Sequence, residues 1–254
     1  MIRVAVVGSS GKMGSTVVDA VNAADDMVLV CGVTPHCKEQ PYPVYSKLET
    51  ALQSEEIDVI VDFTQPDVVE ANLRIALSAG VDCVVGTTGL SQEVLQELAD
   101  LIQGDTCLFY APNFTTGAVL MMEFAKIAAS YFPEAEVIEY HHANKKDAPS
   151  GTAIRTAQII AESRDFVSSA PGAETEIAAG VGARGALIEG VPVHSVRSMG
   201  FVASQEVIFG SYGQSLTIRH DSWDRGSYMP GVLLGIRKVS ACKGLIVGLE
   251  NFMR

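Results

Sequence analysis

Short runs of branched apolar residues recur through the first half of the chain, and most precede a segment with apolar residues at helical spacing. The runs have the length of buried strands and lie at 2–7, 27–33, 58–63, 82–85 and 107–111. The first helical segment carries Met13, Val17 and Val21 on one face. Strands and helices that alternate in this way form right-handed crossovers and a parallel sheet. The pattern predicts a Rossmann-like, doubly wound α/β domain over residues 1–114.

The pattern changes after residue 114. Helical periodicity predicts two helices, over 117–131 and 150–163. Strand-like runs lie at 136–142, 193–197, 205–209 and 215–220. One strand between two helices, followed by strands in succession, is typical of an α+β domain with a mixed or antiparallel sheet. We expect this second domain to span residues 115–225. A helix and a short strand predicted over 226–254 are expected to return to the first domain.

Charge and cysteine content exclude several classes of protein. The 254 residues include 18 Lys and Arg against 30 Asp and Glu, a formal net charge of −12. Nucleic acids and anionic membranes need a basic surface, so neither is an expected partner.

No apolar stretch approaches the ~20 residues of a membrane span, and the N-terminus does not have the organisation of a signal peptide. The five cysteines show no CxxC pair and no Cys/His ligand spacing. We expect a cytoplasmic protein with reduced thiols and no metal site.

A glycine-rich turn lies between the first predicted strand and the first predicted helix, where dinucleotide-binding domains hold a pyrophosphate. It reads Gly8-Ser9-Ser10-Gly11-Lys12-Met13-Gly14. Glycines let the backbone approach the phosphates, and the helix N-terminus supplies amide donors. We predict that the cofactor is bound by Gly8, Ser10, Gly11, Lys12 and Met13.

The end of the second predicted strand bears on the choice between NADH and NADPH. An acidic residue for the adenine-ribose hydroxyl is expected about 20 residues after the turn, but the chain there reads Val33-Thr34-Pro35-His36-Cys37-Lys38. Thr34 and the neighbouring cations would admit a 2′-phosphate. The alternative is a solvated loop in which Lys38 contacts nothing. Both nucleotides are therefore candidates.

Two further loops follow predicted strands at the same edge of the sheet. They are Gly86-Thr87-Thr88-Gly89 and Ala111-Pro112-Asn113-Phe114. Ligands of open α/β sheets bind at the carboxyl ends of the strands, so these loops could form a nicotinamide-ribose pocket. Generic turns between strand and helix would have the same composition.

A polar segment in the second domain combines several groups that move protons or bind anions. It reads Glu139-Tyr140-His141-His142-Ala143-Asn144-Lys145-Lys146-Asp147-Ala148-Pro149-Ser150-Gly151-Thr152-Ala153. Two imidazoles and Lys145 precede the start of a helix, where Ser150, Gly151 and Thr152 offer amides and hydroxyls to a carboxylate. Histidine suits proton delivery near neutral pH. The alternative is a capped surface helix preceded by a polar loop.

This segment resembles the E-x-H-H-x-x-K-x-D-A-P-S-G-T-A string of the 4-hydroxy-tetrahydrodipicolinate (dihydrodipicolinate) reductase family. The likeness extends over essentially the whole chain and includes the glycine turn, Asp62-Phe63-Thr64 and both rim loops. It implies NAD(P)H-dependent reduction of a small dicarboxylate in diaminopimelate and lysine biosynthesis by a homotetramer built through the second domain's sheet.

The resemblance also implies roles for individual residues. His141 would be the proton donor or acceptor and Lys145 the second catalytic residue, while His142, Gly151 and Thr152 would hold the substrate carboxylates. The residues implied to approach the cofactor are Phe63, Gly86, Thr87, Thr88, Ala111, Pro112, Asn113, Phe114, Arg225 and Tyr228. Family members commonly carry an acidic residue where Thr34 stands.

Two other functions are compatible with the glycine turn alone. A different two-domain dehydrogenase, acting on an amino acid or an aldehyde, would keep the turn without needing the segment from His141 to Thr152. A non-catalytic redox sensor would bind the nucleotide without turnover. The presence of His141 and Lys145 disfavours both, because neither function requires this pair.

Overall fold

The structure is a computed structural model that describes residues 1–35, 39–164 and 182–253. These residues form two compact units. The first consists of Met1–Thr116 and the segment that begins at Arg225, and the second of Gly117–Asp224. No helix in the described ranges is both long and apolar enough to cross a membrane. In the same ranges, no group of His, Cys, Asp and Glu side chains could hold a metal ion.

Strands and helices alternate from the N-terminus of the first unit. In chain order they are β1 (Ile2–Val7), α1 (Lys12–Asn22), β2 (Met27–Val33), β3 (Val44–Tyr45), α2 (Leu48–Ser54), β4 (Val59–Asp62), α3 (Val69–Ser78), β5 (Asp82–Val85), α4 (Gln92–Asp100) and β6 (Cys107–Tyr110). The sequence pattern predicts all of these except β3 and α2. A strand of two residues and a helix of seven are too short for periodicity to detect.

The second unit contains the elements that follow β6. They are α5 (Thr116–Ala129), β7 (Glu134–His141), α6 (Gly151–Glu162), β8 (Ala186–Ile188), β9 (Val191–Arg197), β10 (Ala203–Ser211) and β11 (Gln214–Ser222). The strands described here are ordered β11-β10-β7-β9-β8. β7 and β9 run parallel and the other neighbours antiparallel, so the predicted mixed sheet is confirmed. The helices α5 and α6 pack on it through residues such as Met121 and Ile160.

The chain then returns to the first sheet through α7 (Met229–Val239) and β12 (Gly244–Val247). Strand β12 pairs in parallel with β6, and the described strands of this sheet are ordered β12-β6-β5-β4-β1-β2-β3. All of its pairs are parallel. Chain order reverses between β1 and β4, and ligands of doubly wound folds bind at such a switch point. The predicted Rossmann-like class is confirmed.

Burial explains why the strands of the first unit are continuous apolar runs rather than alternating ones. Every residue of β4 is buried, because helices cover both faces of the parallel sheet. The stripe of Val69, Leu73 and Leu77 on α3 packs into the same core as Val7 and Ile60. This packing holds the carboxyl ends of the strands, where the glycine turn begins.

The described cysteines are free thiols. Burial raises the pKa of Cys31 and of Cys107 to about 12, and it raises the pKa of Cys83 well above its ordinary value. Thiols of this kind stay protonated and are unreactive. Cys242 is half-buried, and Cys37 lies outside the described residues.

Candidate cofactor and proton-transfer sites

The glycine turn after β1 is closely packed, and a side chain would be excluded at Gly8 and at Gly14. Gly8 has φ +84°, and a Cβ on it would lie 2.9 Å from the carbonyl oxygen of Phe63. A Cβ on Gly14 would lie 2.0 Å from the carbonyl oxygen of Gly8. The amide of Gly11, the N-cap of α1, donates to the same oxygen at 2.9 Å. The turn therefore presents the N-terminus of α1 at the edge where a dinucleotide phosphate would bind.

Ser10, in the glycine turn, and Thr34, after β2, lie together. Their hydroxyl oxygens are 2.6 Å apart. Thr34 is buried, and its amide donates to the carbonyl of Tyr45 at 2.9 Å. A cavity of about 550 Å³ lies against this pair, lined also by Asp19 and Tyr42. This cavity is a candidate site for the ribose end of the nucleotide.

The other residues predicted near the phosphates differ in exposure. Lys12 is exposed at the start of α1, whereas Met13 is half-buried. His36, Cys37 and Lys38, the remaining residues considered for a 2′-phosphate, lie outside the described residues.

Asp62, at the end of β4, joins the loops that follow β4 and β5. Its carboxylate accepts from the amide and hydroxyl of Thr64 at 2.9 and 2.7 Å, from Asn72 at 2.8 Å and from the Thr87 hydroxyl at 2.9 Å. Burial raises the pKa of Asp62, and these hydrogen bonds oppose the effect. The hydroxyl of Thr87 is thus engaged with the protein, while the predicted neighbour Thr88 is exposed. The sequence motifs alone indicate no role for Asp62.

Aromatic packing fixes the rim next to this carboxylate. A Cβ on Gly86 would lie 2.0 Å from the ring of Phe63, so only glycine fits there. The Phe63 and Phe114 ring centroids are 5.8 Å apart, and the Phe114 ring also packs edge-on against Phe109. Phe114 is 1% exposed. Any contact of Phe114 with a cofactor would therefore go through its backbone.

The remaining predicted cofactor residues lie at the ends of other elements of the first unit. Ala111 is fully buried, Pro112 is exposed, and Asn113 accepts from the amide of Thr115 at 2.8 Å in a side-chain turn. Arg225 and Tyr228 bound a short 3₁₀ helix that contacts α1, the helix that starts at the glycine turn. Their predicted approach to the cofactor is compatible with this position.

In the second unit, the end of β7 brings His141 onto a buried carboxylate. Nδ1 of His141 is hydrogen-bonded to Glu139, which lies two residues earlier and so faces the same side of the sheet. Glu139 is fully buried. Arg197, at the end of β9, donates to both carboxylate oxygens at 2.8 and 2.7 Å. This bidentate pair holds the carboxylate to which His141 is hydrogen-bonded.

The loop between β7 and α6 is hydrogen-bonded to the same Glu139–Arg197 pair. Arg197 also donates to the carbonyl of Asp147 at 2.8 Å, and Lys145 donates to the Asp147 carboxylate at 2.9 Å. The Ser150 hydroxyl caps α6 by accepting from Ala153 at 3.2 Å, and the Ser150 amide donates to Glu139 at 3.3 Å. Because Ser150 is engaged in this way, the open donors at the start of the helix are those of the next residues.

Those next residues are Gly151 and Thr152. The first-turn amides of a helix have no intrahelical partner. Gly151 is exposed, and a Cβ on it would meet no heavy atom within 4 Å. The predicted residue His142 is exposed at the start of the loop. This end of α6 can therefore receive an anion from solvent.

The electrostatics around His141 follow from burial and three charged neighbours. Burial is the largest effect and lowers the pKa of His141; Glu139 raises it, and Lys145 and Arg197 lower it further. For Glu139, burial is again the largest effect and raises the pKa, but the hydrogen bonds from Arg197, Ser195 and His141 outweigh it and hold the pKa below its ordinary value. The carboxylate is thus ionised at neutral pH.

Sequence reasoning missed both Glu139 and Arg197 as site residues. The position of Glu139, two residues before His141 in a strand, was a usable signal. Arg197 lies 58 residues beyond Glu139 and reaches it through the pairing of β7 with β9. The spacing of residues along the chain does not predict that strand pairing.

Comparison with known proteins agrees with the resemblance drawn from residues 139–153. The N-terminal family model of dihydrodipicolinate reductase matches residues 2–114, and the C-terminal model matches residues 117–253. A 4-hydroxy-tetrahydrodipicolinate reductase from Listeria welshimeri is 48% identical over 264 residues, covering 99% of this chain and 100% of its own. One from Mycolicibacterium smegmatis is 47% identical over 255 residues, covering 99% of both chains.

Solved structures give the same result. The dipicolinate-bound dihydrodipicolinate reductase from Paenisporosarcina sp. TG-14 is 43% identical, with a TM-score of 0.90 over 99% of both chains. A myo-inositol 2-dehydrogenase from Lactobacillus plantarum is only 12% identical, with a TM-score of 0.65 over 99% of this chain and 93% of its own, and it shares the fold alone. The chain belongs to the dihydrodipicolinate reductase family.

Proposed function

We propose that this chain catalyses the NAD(P)H-dependent reduction of 4-hydroxy-tetrahydrodipicolinate to tetrahydrodipicolinate, with loss of water, in diaminopimelate and lysine biosynthesis. The observation that carries the proposal is the group formed by His141, Lys145 and the N-terminus of α6, in a chain that both family models match. An acid-base residue near an anion-binding helix terminus is what reduction of a dicarboxylate imine requires. The dipicolinate-bound relative supports a small dicarboxylate substrate.

The reaction balances as one dehydration and one reduction. The cyclic hydroxy-dicarboxylate loses water to give a conjugated imine, which then gains a hydride and a proton. When bound, the nicotinamide supplies the hydride, which adds at carbon 4 of the substrate ring. The residues proposed to hold the nucleotide fit it, because a Cβ on Gly8 or Gly14 would collide with neighbouring backbone, and with glycine at both positions the turn presents the N-terminus of α1 to a phosphate.

The second unit binds the substrate carboxylates and moves the proton. Carboxylate oxygens of the substrate bind to the amides of Gly151 and Thr152 and to the side chain of His142. The Ser150 hydroxyl stabilises the first turn of α6 as its N-cap. Lys145 adds a positive charge in a protein of net charge −12, and it binds a carboxylate or donates to the ring nitrogen. His141 delivers the proton to the reduced ring.

The proposal includes both nucleotides. The hydroxyls of Ser10 and Thr34 lie at the end of β2, where a domain restricted to NADH would carry a carboxylate. A hydroxyl at this position hydrogen-bonds either to a ribose hydroxyl or to a 2′-phosphate without repelling the phosphate. We accordingly assign NADH and NADPH as alternative reductants.

We also propose that the chain works in the cytoplasm as a homotetramer built through the sheet of its second unit. Most of β11 is exposed although it belongs to that sheet, and Leu216 on it is 38% exposed. Sedimentation equilibrium of the purified chain tests this assembly. A monomer at micromolar concentration would contradict it.

Cofactor oxidation tests the activity directly. Substrate is made in situ from pyruvate and aspartate semialdehyde by the upstream synthase, and absorbance at 340 nm is followed with NADH and with NADPH separately. We expect oxidation that depends on the synthase. A folded protein that binds nucleotide but oxidises neither would overturn the proposal, and turnover of an amino acid or aldehyde instead would indicate a different dehydrogenase.

A further inference from the structure

We propose that Glu139 is a positioning residue, which together with Arg197 fixes the tautomer of His141 so that Nε2 carries the transferred proton. The proton-transfer role of His141 rests on the proposed function. The tautomer itself does not, because it follows from the hydrogen bonds of the second unit. Neither Glu139 nor Arg197 belongs to the residues that would touch substrate or cofactor.

The hydrogen bond between Glu139 and His141 has only one possible direction when the carboxylate is ionised. An ionised carboxylate accepts hydrogen bonds and cannot donate them. Nδ1 of His141, which is bonded to Glu139, must therefore carry a hydrogen. In the neutral imidazole this leaves Nε2 as the free base, and in the imidazolium the hydrogen on Nε2 is the one available for transfer.

Arg197 is the group that keeps Glu139 ionised inside the protein. A fully buried carboxylate without a partner would take up a proton instead of remaining charged. Here both oxygens accept from the guanidinium, at 2.8 and 2.7 Å, in the planar geometry that favours arginine over lysine. Ser150 adds a backbone amide at 3.3 Å. A protonated Glu139 would lose this preference and could donate to Nδ1, which would give the opposite tautomer.

The same pair also holds the loop that carries the second predicted catalytic residue. Arg197 donates to the carbonyl of Asp147, and Asp147 is the ion-pair partner of Lys145. One partly buried ion pair thus connects the proposed proton donor, the cation and the start of α6. The charged groups facing His141 are Glu139 on its own strand, Arg197 from β9 and Lys145 from the loop.

A role in fold stability alone does not account for this arrangement. Replacing a buried ion pair by apolar residues of similar volume is often neutral or stabilising, so such pairs are weak evidence for a contribution to stability. Gln205 lies opposite Glu139 on β10, is also buried, and donates to Thr156 on α6 rather than contacting the imidazole. A substitution at Gln205 is therefore a matched control for the loss of a buried polar side chain at Glu139.

The first test is the tautomer of His141 in the unaltered protein. We would label the chain with ¹⁵N-histidine, assign His141 by the signal lost in His141→Asn, and record long-range ¹H–¹⁵N spectra against pH. The expected neutral form carries hydrogen on Nδ1. A neutral form protonated on Nε2 would overturn the proposal, whether or not the protein turns over 4-hydroxy-tetrahydrodipicolinate.

The second test compares variants that change charge on opposite sides of the imidazole. In Glu139→Gln, loss of the anion should lower the pKa of His141 and abolish the tautomer preference. In Arg197→Met, loss of the cation should raise the apparent pKa of the coupled Glu139 and His141 pair. Arg197→Lys keeps the charge and should shift the pKa less than Arg197→Met. A tautomer preference that persists in both Glu139→Gln and Arg197→Met would contradict the proposal.

Kinetics and unfolding complete the comparison. We expect kcat of Glu139→Gln to fall on the order of 10²-fold or more, as when an orienting carboxylate is removed beside a catalytic histidine, with little change in KM. Gln205→Met should leave kcat and the pKa of His141 unchanged. If Gln205→Met reduced kcat as far as Glu139→Gln at an equal loss of thermal stability, the role of Glu139 would be structural. Absence of turnover in the unaltered protein would instead contradict the proposed function and leave the tautomer result standing.

Discussion

The hydroxyl oxygens of Ser10 and Thr34 lie 2.6 Å apart, so one hydrogen bond joins the glycine turn to the end of β2. In a doubly wound domain, this position faces the adenine ribose, where a carboxylate selects for the 2′-hydroxyl of NADH. The pair offers hydroxyls instead. The nucleotide selectivity of the protein should therefore depend on residue 34.

Thr34→Asp should shift selectivity toward NADH. The new carboxylate would accept from a ribose hydroxyl and repel a 2′-phosphate, and like charges in contact cost several kcal/mol, so the kcat/KM ratio of NADH to NADPH should rise at least about tenfold. Thr34→Ser keeps the hydroxyl and serves as the control. Initial rates with each nucleotide measure the ratio. An unchanged ratio in Thr34→Asp would show that the ribose does not bind here.

Loss of the proposed proton donor or of its cationic neighbour should affect turnover more than binding of nucleotide. His141→Ala and Lys145→Ala should each lower kcat by about 10²- to 10⁴-fold, the usual contribution of a positioned proton-transfer group. Lys146→Ala removes an exposed lysine next in sequence and should have little effect. The synthase-coupled assay measures all three. Full activity in both of the first two variants would refute the site assignment.

Asp62 should stabilise the first unit, because its hydrogen bonds join the loop after β4 to the loop after β5. In Asp62→Asn, the amide group cannot accept all the hydrogen bonds from Thr64, Asn72 and Thr87, and a buried donor left unpaired costs about 1–3 kcal/mol. The free energy of unfolding in urea should fall by this amount, and nucleotide affinity should fall with it. Asp67→Asn, at an exposed position in the turn after β4, is the control. Equal stability of the two variants would argue against a bracing role.

The sequence predicted most of the fold because the strands of a parallel sheet are buried on both faces. Such strands appear as continuous apolar runs, and β4 is the clearest case. The strand β8 was not predicted, since three residues give no periodicity. The residues predicted for proton transfer lie at the end of β7 and in the loop that follows it, so their local spacing along the chain indicated them. The Glu139 and Arg197 pair was not visible, because it depends on the register between β7 and β9.

Acid should destabilise the second unit through two half-buried histidines. Burial lowers the pKa of both His141 and His220 from the ordinary value of 6.5. Below pH 6.5 the unfolded chain therefore binds protons that the folded chain does not, so stability falls as pH falls through the folded pKa values. Urea unfolding between pH 5 and pH 8 measures the slope. His220→Gln should reduce it, and an identical slope in this variant would contradict the assignment for His220.

Two glycines at helix starts should respond in opposite ways to a methyl group. In Gly14→Ala, the new Cβ would lie 2.0 Å from the carbonyl oxygen of Gly8, backbone that cannot move aside. Overpacking of this kind costs roughly 1–3 kcal/mol or more. We expect a lower free energy of unfolding in urea and loss of nucleotide binding, measured by the fluorescence of NADH.

Gly151→Ala has no such clash, because nothing lies within 4 Å of the new Cβ. Alanine is the better helix former by up to about 1 kcal/mol, so stability should be unchanged or raised. The Cβ of a helical residue tilts toward the N-terminus, however, and would lie at the first-turn amides proposed to bind a substrate carboxylate. KM for 4-hydroxy-tetrahydrodipicolinate should therefore rise while nucleotide affinity is retained. An unchanged KM would mean that the carboxylate binds elsewhere, because folding and nucleotide binding would both be intact in this variant.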